Sequence, residues 1–144
     1  MATTSTYLNL AGQTEAAFSF YREVFKTEFL APPLRMRDIP GAGDGPGIGL
    51  ADPDLIMHIE LPIVGGHVLT GSDALPLGGA VVVAGTSVLI NLEPDTRAES
   101  KRLFSALSAG GSVTTPLHEA LWGAYFGSVT DKFGVHWRVS FARG

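Results

Sequence analysis

The chain has no cysteine, and over its 144 residues it carries only ten basic residues against fourteen acidic ones. Without cysteine there is no disulfide, no thiolate nucleophile and no thiolate ligand, so any metal would need histidine or carboxylate ligands. The formal net charge of −4, with no cluster of basic residues, argues against a nucleic-acid partner. No apolar run reaches the ~20 residues of a membrane span, and no signal peptide is recognisable. We therefore expect a cytoplasmic protein with neither a nucleic-acid nor a membrane partner.

The apolar content is sufficient for a packed interior. Hydrophobic residues make up 45% of the chain and charged residues 17%, which excludes global disorder. A chain of this length fits one domain, or two small similar modules that share a core.

Hydrophobic periodicity predicts that the first half of the chain follows a β-α-β-β-β order. The predicted elements are a strand at Tyr7–Leu10, a helix over 13–26 with an apolar stripe of Ala17, Phe20, Tyr21, Val24 and Phe25, an extended segment at Phe29–Ile39, a strand at Leu55–Leu61 and a returning strand at His67–Gly71. Residues 40–53 are dense in glycine and proline and are predicted to form a loop.

The second half repeats this order. The predicted elements are a strand at Val88–Leu92, a helix that starts at the Thr96–Glu99 capping box and ends near Ser108 with Leu103, Phe104 and Leu107 buried, an extended segment at Val113–Thr115, and a hairpin of Trp122–Thr130 and Val135–Phe141. The tripeptides Leu8-Asn9-Leu10 and Ile90-Asn91-Leu92 stand in equivalent places, which indicates a duplicated module. We predict one α+β domain over residues 1–144, with module one at about 5–73, a connector at 74–86 and module two at about 87–142.

Three stretches carry a family resemblance. They are YLNLAGQTEAAFSFYREVF (7–25), LIMHIELPIVGGHVLTGSDA (55–74) and LHEALWGAYFGSVTDKFGVHW (117–137). In these stretches and in its duplicated order the chain resembles the vicinal oxygen chelate superfamily, which includes glyoxalase I, extradiol dioxygenases and bleomycin-resistance proteins, and within it the PhnB-like subgroup. The resemblance implies two tandem βαβββ modules that form a curved mixed sheet around a cavity.

The resemblance also directs attention to metal ligands. Metal enzymes of the superfamily place two histidines and one or two glutamates on the first and last strands of the modules. Here the corresponding positions hold Ser5, Thr6, Tyr7, Leu69, Thr70, Val88, Leu89 and Arg138. None is a histidine, and the guanidinium of Arg138 would repel a divalent cation. We therefore expect no metal cofactor.

Five residues are candidates for a ligand site. His58 and Glu60 are two apart on a strand, so their side chains point the same way and either hold a ligand or satisfy each other. A divalent metal there would need a third ligand from one of the other histidines, His67, His118 or His136. On the polar face of the last strand, His136 and Arg138 form either an anion-attracting wall or an ordinary solvated face. Trp122 either stacks on a flat ligand or is a rim or core aromatic residue.

Glu119 offers one further carboxylate. Glu119 is either a general base beside the ligand or, by the more common alternative, an exposed loop residue.

The favoured function is a metal-free small-molecule-binding protein that holds a drug-like or metabolite ligand in the cavity between the modules. Two alternatives remain open. One is a metal-dependent enzyme of the isomerase, lyase or dioxygenase type with relocated ligands. The other is a dimeric scaffold without a ligand.

The connector also predicts self-association. Its residues Leu75, Leu77 and Val81–Val83 are too apolar for a solvated linker, and the resemblance implies pairing of chains. We expect light scattering at micromolar concentration to give the mass of a homodimer. A monomeric mass would contradict this prediction.

Overall fold

The computed structural model describes residues 2–39, 53–74, 82–83, 85–120 and 123–142. Its elements are β1 Thr6–Leu10, α1 Thr14–Phe25, β2 Leu34–Arg35, β3 Ile56–Pro62, β4 Val68–Asp73, β5 Ile90–Leu92, α2 Arg97–Ser108, β6 Ser112–Glu119, β7 Ala124–Thr130 and β8 His136–Ala142. Most of the predicted loop 40–53 and of the connector 74–86 lies outside the described residues. Within the described part, neither helix is long and apolar enough to span a membrane.

The chain divides into two compact units, Met1–Val83 and Ala84–Gly144. Among the described residues, each unit contains one α-helix and one four-stranded mixed sheet, ordered β1-β4-β3-β2 in the first and β5-β8-β7-β6 in the second. In both, the first strand pairs in parallel with the last, and the other neighbours are antiparallel. The α+β class and the duplicated βαβββ order predicted from the sequence are therefore confirmed.

Helix α1 packs on the first sheet through an apolar stripe. Its buried residues are Thr14, Ala17, Phe18, Tyr21, Val24 and Phe25. The Phe18 ring lies 2.7 Å from the place that a Cβ on Gly71 would occupy, so the missing side chain lets the helix approach β4 closely. The sequence prediction omitted Phe18 and included Phe20, which is only half-buried.

Helix α2 packs on the second sheet in the same manner. The Thr96 hydroxyl accepts a hydrogen bond at 3.0 Å from the backbone N–H three residues on, as the capping box predicts. Leu103 and Leu107 are fully buried. Phe104 is half-buried rather than buried, and its ring lies 2.7 Å from the position of a Cβ on Gly127. Each helix therefore covers one face of its own sheet.

The segment predicted to be extended at Phe29–Ile39 forms a regular strand over only a small part of its length. It contains only the two-residue strand β2, followed by a 3₁₀ turn at Met36–Asp38. Arg35 of β2 donates to the carboxylate of Glu15 in the first turn of α1, at 3.2 Å for one of its nitrogens. This hydrogen bond holds the pKa of the Glu15 carboxyl below its ordinary value.

A buried carboxylate joins three elements of the first unit. Asp73 ends β4 and is 5% exposed. Its two oxygens accept hydrogen bonds from the backbone N–H of Thr14 in α1 at 3.0 Å and from that of Ile56 in β3 at 2.9 Å. The sequence prediction ended this strand at Gly71 and so missed the residue.

A second buried carboxylate organises the β7–β8 hairpin. Asp131 is 3% exposed, and one of its oxygens accepts from the backbone N–H of Phe133 at 2.8 Å and of Val135 at 3.1 Å. The other accepts from the indole Nε1–H of the fully buried Trp137 at 2.8 Å. The residue is thus both a turn former, as predicted, and the hydrogen-bond partner of the largest core side chain.

Removal of the Asp131 carboxylate should be strongly destabilising. Asp131→Ala leaves three donors without their acceptor, at a cost of about 1–3 kcal/mol each, so we expect a loss of about 3 kcal/mol or more. Asp131→Asn, which retains one acceptor oxygen, should lose less. Urea denaturation measures both variants against Glu28→Ala, which removes an exposed carboxylate and should change stability by no more than about 0.5 kcal/mol. Equal stabilities of Asp131→Ala and Glu28→Ala would contradict this role.

Candidate functional site

Four candidate residues, His58, Glu60, His136 and Arg138, lie on the sheet faces that point away from the helices. Residues paired across strands share a face, so the strand registers define both surfaces. The first polar face comprises Tyr7, Asn9, His58, Glu60, Thr70 and Ser72. The second polar face comprises Asn91, His118, Phe126, Ser128, His136 and Arg138. The first belongs to Met1–Val83 and the second to Ala84–Gly144.

His58 and Glu60 are in direct contact on the first polar face. The distance from His58 Nε2 to Glu60 Oε1 is 3.2 Å, and the side chains are 49% and 37% exposed. The contact is an ion pair when the imidazole is protonated. No third histidine, aspartate or glutamate joins them to form a metal-binding group in the part of the chain that is described. A ligand role for this pair stays a prediction.

Hydroxyl groups surround this pair. The Tyr7 hydroxyl and Ser72 Oγ are hydrogen-bonded to each other across β1 and β4. Thr70 lies opposite Tyr7 in the same register, and its hydroxyl donates to the Thr6 carbonyl at 3.4 Å. The hydroxyls of this face are thus largely occupied by one another and by the backbone.

Arg138 is held between two neighbouring strands of the second sheet. Its Nη1 donates to Oδ1 of Asn91 on β5 at 3.0 Å. On the other side its guanidinium carbon lies 4.7 Å from the ring centroid of Phe126 on β7, a cation–π contact. Neither neighbour was a candidate in the sequence analysis, although Asn91 stands in the repeated Asn-Leu motif.

His136 has both ring nitrogens engaged. Nε2 lies 2.6 Å from the Gly85 carbonyl oxygen, and Nδ1 lies 2.8 Å from the Thr130 hydroxyl. A carbonyl only accepts, so Nε2 carries the proton and Nδ1 of the neutral ring accepts from Thr130. The strand places His136 on the same face as Arg138, as predicted, but its hydrogen bonds fix the imidazole to its own chain.

One ring nitrogen of His118 is hydrogen-bonded to its own chain. Its Nδ1 lies 2.8 Å from the Pro116 carbonyl oxygen, so Nδ1 carries the proton and Nε2 of the neutral ring is an acceptor. The imidazole is exposed, and its centroid lies 4.6 Å from that of Phe126. From the sequence, His118 is a candidate only for a third metal ligand, because the pairing of β6 with β7 cannot be read from local periodicity.

The two remaining candidates do not join this face. Trp122 lies outside the described residues. Glu119 is the last residue of β6 rather than a loop residue, and it forms an ion pair with Arg97 of α2. Since it pairs with the buried Tyr125 in register, it lies on the side that the helix covers.

The residues present do not fit the metal site carried by enzymes of the superfamily that the chain resembles. Strand β5 begins at Ile90, so the first-strand residue paired with Arg138 is Asn91, and Val88 and Leu89 precede the strand. In the first unit the equivalent pairs are Tyr7 with Thr70 and Asn9 with Ser72. Hydroxyls, amides and a guanidinium take the places where a transition metal requires imidazole and carboxylate.

Comparisons place the chain among known proteins. No family model matches it. Protein YjdN of Escherichia coli is 33% identical over 146 aligned residues, which cover 96% of this chain and 95% of that protein. The structure of protein PA1353 from Pseudomonas aeruginosa superposes with a TM-score of 0.83 at 36% identity and covers both chains completely.

Two more distant structures share the fold. The PhnB protein from Bacillus cereus, described as a putative 3-demethylubiquinone-9 3-methyltransferase, has a TM-score of 0.75 at 20% identity, covering 98% of this chain and 100% of that one. A glyoxalase/bleomycin resistance protein/dioxygenase family enzyme from Burkholderia phytofirmans has a TM-score of 0.63 at 16% identity, covering 96% and 98%.

The two histidines of the second polar face should have opposite tautomers. In the neutral rings the carbonyl acceptors require Nε2–H in His136 and Nδ1–H in His118. Long-range ¹H–¹⁵N NMR spectra at the alkaline end of the titration distinguish the two forms by their nitrogen shifts. His136→Gln and His118→Gln assign the signals. The same tautomer in both rings would show that one of these hydrogen bonds does not form.

Proposed function

Because the chain belongs to the vicinal oxygen chelate superfamily of glyoxalase, bleomycin-resistance and dioxygenase proteins, we propose that it binds a small anionic or carbonyl-bearing molecule without a metal. The binding surface is the second polar face, and its centre is Arg138. The proposal rests on two contacts that fix the orientation of the Arg138 guanidinium, a hydrogen bond to Asn91 and a cation–π contact with Phe126.

The charge of Arg138 is not balanced by a carboxylate among the described residues. Its hydrogen bond goes to the neutral amide of Asn91, and its second contact is the Phe126 ring. These contacts orient the guanidinium while most of its five N–H donors stay available to a ligand. A fixed guanidinium on a sheet surface favours carboxylate or phosphate groups, which it can bind in a bidentate manner.

Three features support binding without a metal. The guanidinium of Arg138 stands at a position where metal enzymes of this superfamily carry a ligand. Asn91 opposite it offers an amide, and the nitrogens of His136 are engaged by Thr130 and the Gly85 carbonyl. Such a site fits the sequestration of a drug-like or metabolite ligand, in which the ligand is bound but no reaction is catalysed. The term bleomycin resistance indicates this kind of function for relatives.

Elemental analysis and a ligand screen test the proposal directly. We expect untagged protein to contain no stoichiometric divalent metal, whereas a bound metal would favour an enzyme that uses ligands such as His58 and Glu60. A thermal-shift screen of small molecules should yield organic anions. A ligand present at 100 times its dissociation constant stabilises the fold by ~2.7 kcal/mol. A screen without any ligand would favour the scaffold alternative.

Reversal of the charge at Arg138 should abolish anion binding. We expect Arg138→Glu to weaken an anionic ligand from the screen by ~2–5 kcal/mol, because the new carboxylate repels the group that the guanidinium attracted. Isothermal titration calorimetry measures the affinity and a melting curve measures stability. Lys101→Glu is the matched control, since it makes the same charge change on the exposed surface of α2 and should leave binding unchanged.

The two measurements separate the outcomes. Unchanged affinity in Arg138→Glu would place Arg138 outside the site and overturn the proposal. If Arg138→Glu fails to fold, Arg138→Gln removes the charge with less perturbation. A folded Arg138→Gln that binds as the parent does would assign Arg138 a structural role only.

A further inference from the structure

We infer that Glu93 is a positioning residue for the proposed anion site, and that it acts on Arg138 through the side-chain amide of Asn91. The inference rests on the proposed function, because it takes Arg138 as the residue that binds the anion. It gives a role to an exposed carboxylate that stands two residues from Asn91, beside a cation that attracts anions.

Two hydrogen bonds join Glu93, Asn91 and Arg138 in a chain. Asn91 Nδ2 donates to Glu93 Oε1 at 3.3 Å, and Asn91 Oδ1 accepts from Arg138 Nη1 at 3.0 Å. Glu93 follows directly after β5, which ends at Leu92. The amide of Asn91 therefore lies between the carboxylate and the guanidinium, and each end of the amide has its own partner.

The chemistry of the two partners fixes the direction in which the amide points. An ionised carboxylate only accepts and a guanidinium only donates, so the amide satisfies both only when its oxygen faces Arg138. Rotation of the amide by 180° would place its N–H groups against the guanidinium and its oxygen against the carboxylate, and both hydrogen bonds would be lost. Glu93 thus holds the Asn91 oxygen in the position from which it orients Arg138.

The equivalent asparagine of the first unit has neither partner. Asn9 stands beside Ser72, whose hydroxyl is able both to donate and to accept. Two residues beyond Asn9 the chain has Ala11, whose side chain has no acceptor. A hydroxyl can bond to either end of an amide, whereas a guanidinium requires the oxygen. The carboxylate is therefore present in the unit in which the direction of the amide matters.

The experiment compares two variants that remove the same charge, because the negative charge of Glu93 by itself repels an anion. Glu93→Gln keeps an oxygen that can accept from Asn91 Nδ2. Glu93→Met has a similar length and no oxygen. Both variants are intact chains, and a melting curve of each checks that it folds as the parent does.

Inorganic phosphate, titrated at constant ionic strength, is the probe. The ¹⁵Nε–¹Hε NMR signal of Arg138, assigned by its absence in Arg138→Gln, reports binding at this residue. We expect Glu93→Met to bind phosphate about fivefold more weakly than Glu93→Gln, which is ~1 kcal/mol at ~1.4 kcal/mol per tenfold, roughly the net contribution of one hydrogen bond.

Three controls show whether Glu93 acts through the amide. In the Asn91→Ala background the two substitutions of Glu93 should bind phosphate equally, because the amide is absent. Glu28→Gln and Glu28→Met make the same changes at an exposed carboxylate of the first unit and should also bind equally. Without phosphate, exchange NMR should show faster rotation about the Nε–Cζ bond of Arg138 in Glu93→Met than in Glu93→Gln.

The results separate this inference from the proposed function. If phosphate shifts the Arg138 signal in the parent but Glu93→Met and Glu93→Gln bind it equally, the role of Glu93 is wrong and the anion site stands. A difference that persists in the Asn91→Ala background, or that comes without a change in the rotation of Arg138, also overturns the inference. If phosphate does not shift the Arg138 signal in the parent, the proposed function fails, and the inference fails with it.

Discussion

The Asp131 carboxylate closes the turn between β7 and β8, and the second polar face depends on that turn. Its hydrogen bonds to two backbone amides and to the Trp137 indole hold the register in which Ser128 pairs with Arg138. Side chains alternate between faces, so a slip of one residue would turn Arg138 towards α2 and bring Trp137 to the polar surface. The buried Asp131 carboxylate thus determines which side chains lie on the second polar face.

The two units use one topology for two different surfaces. In each, the parallel pairing of first and last strands places an asparagine beside a residue of the last strand, Asn9 beside Ser72 and Asn91 beside Arg138. The first unit presents hydroxyls and a histidine–glutamate pair in contact, whereas the second presents an oriented cation. The side chain that lies beside the asparagine therefore differs between the units. It is the hydroxyl of Ser72 in the first unit and the guanidinium of Arg138 in the second.

The proposal follows from this difference. A sheet that carries metal ligands in metal enzymes of the superfamily here carries a guanidinium, which cannot ligate a metal and which we propose binds an anion. The guanidinium is oriented by an amide and an aromatic ring rather than neutralised by a carboxylate. This arrangement orients the guanidinium without neutralising its charge, so the charge can still attract an anionic ligand.

The sequence by itself determined the fold class, the duplicated order, the helix starts and stops, and the shared face of His136 and Arg138, because periodicity and turn residues are local properties. The tertiary structure decided which side chains meet across strands. It brought Asn91 to Arg138 over 47 residues and Asp73 to Thr14 over 59, and it placed His118 against Phe126. Strand order and register arise from long-range pairing and from the burial of one sheet face, which no local pattern encodes.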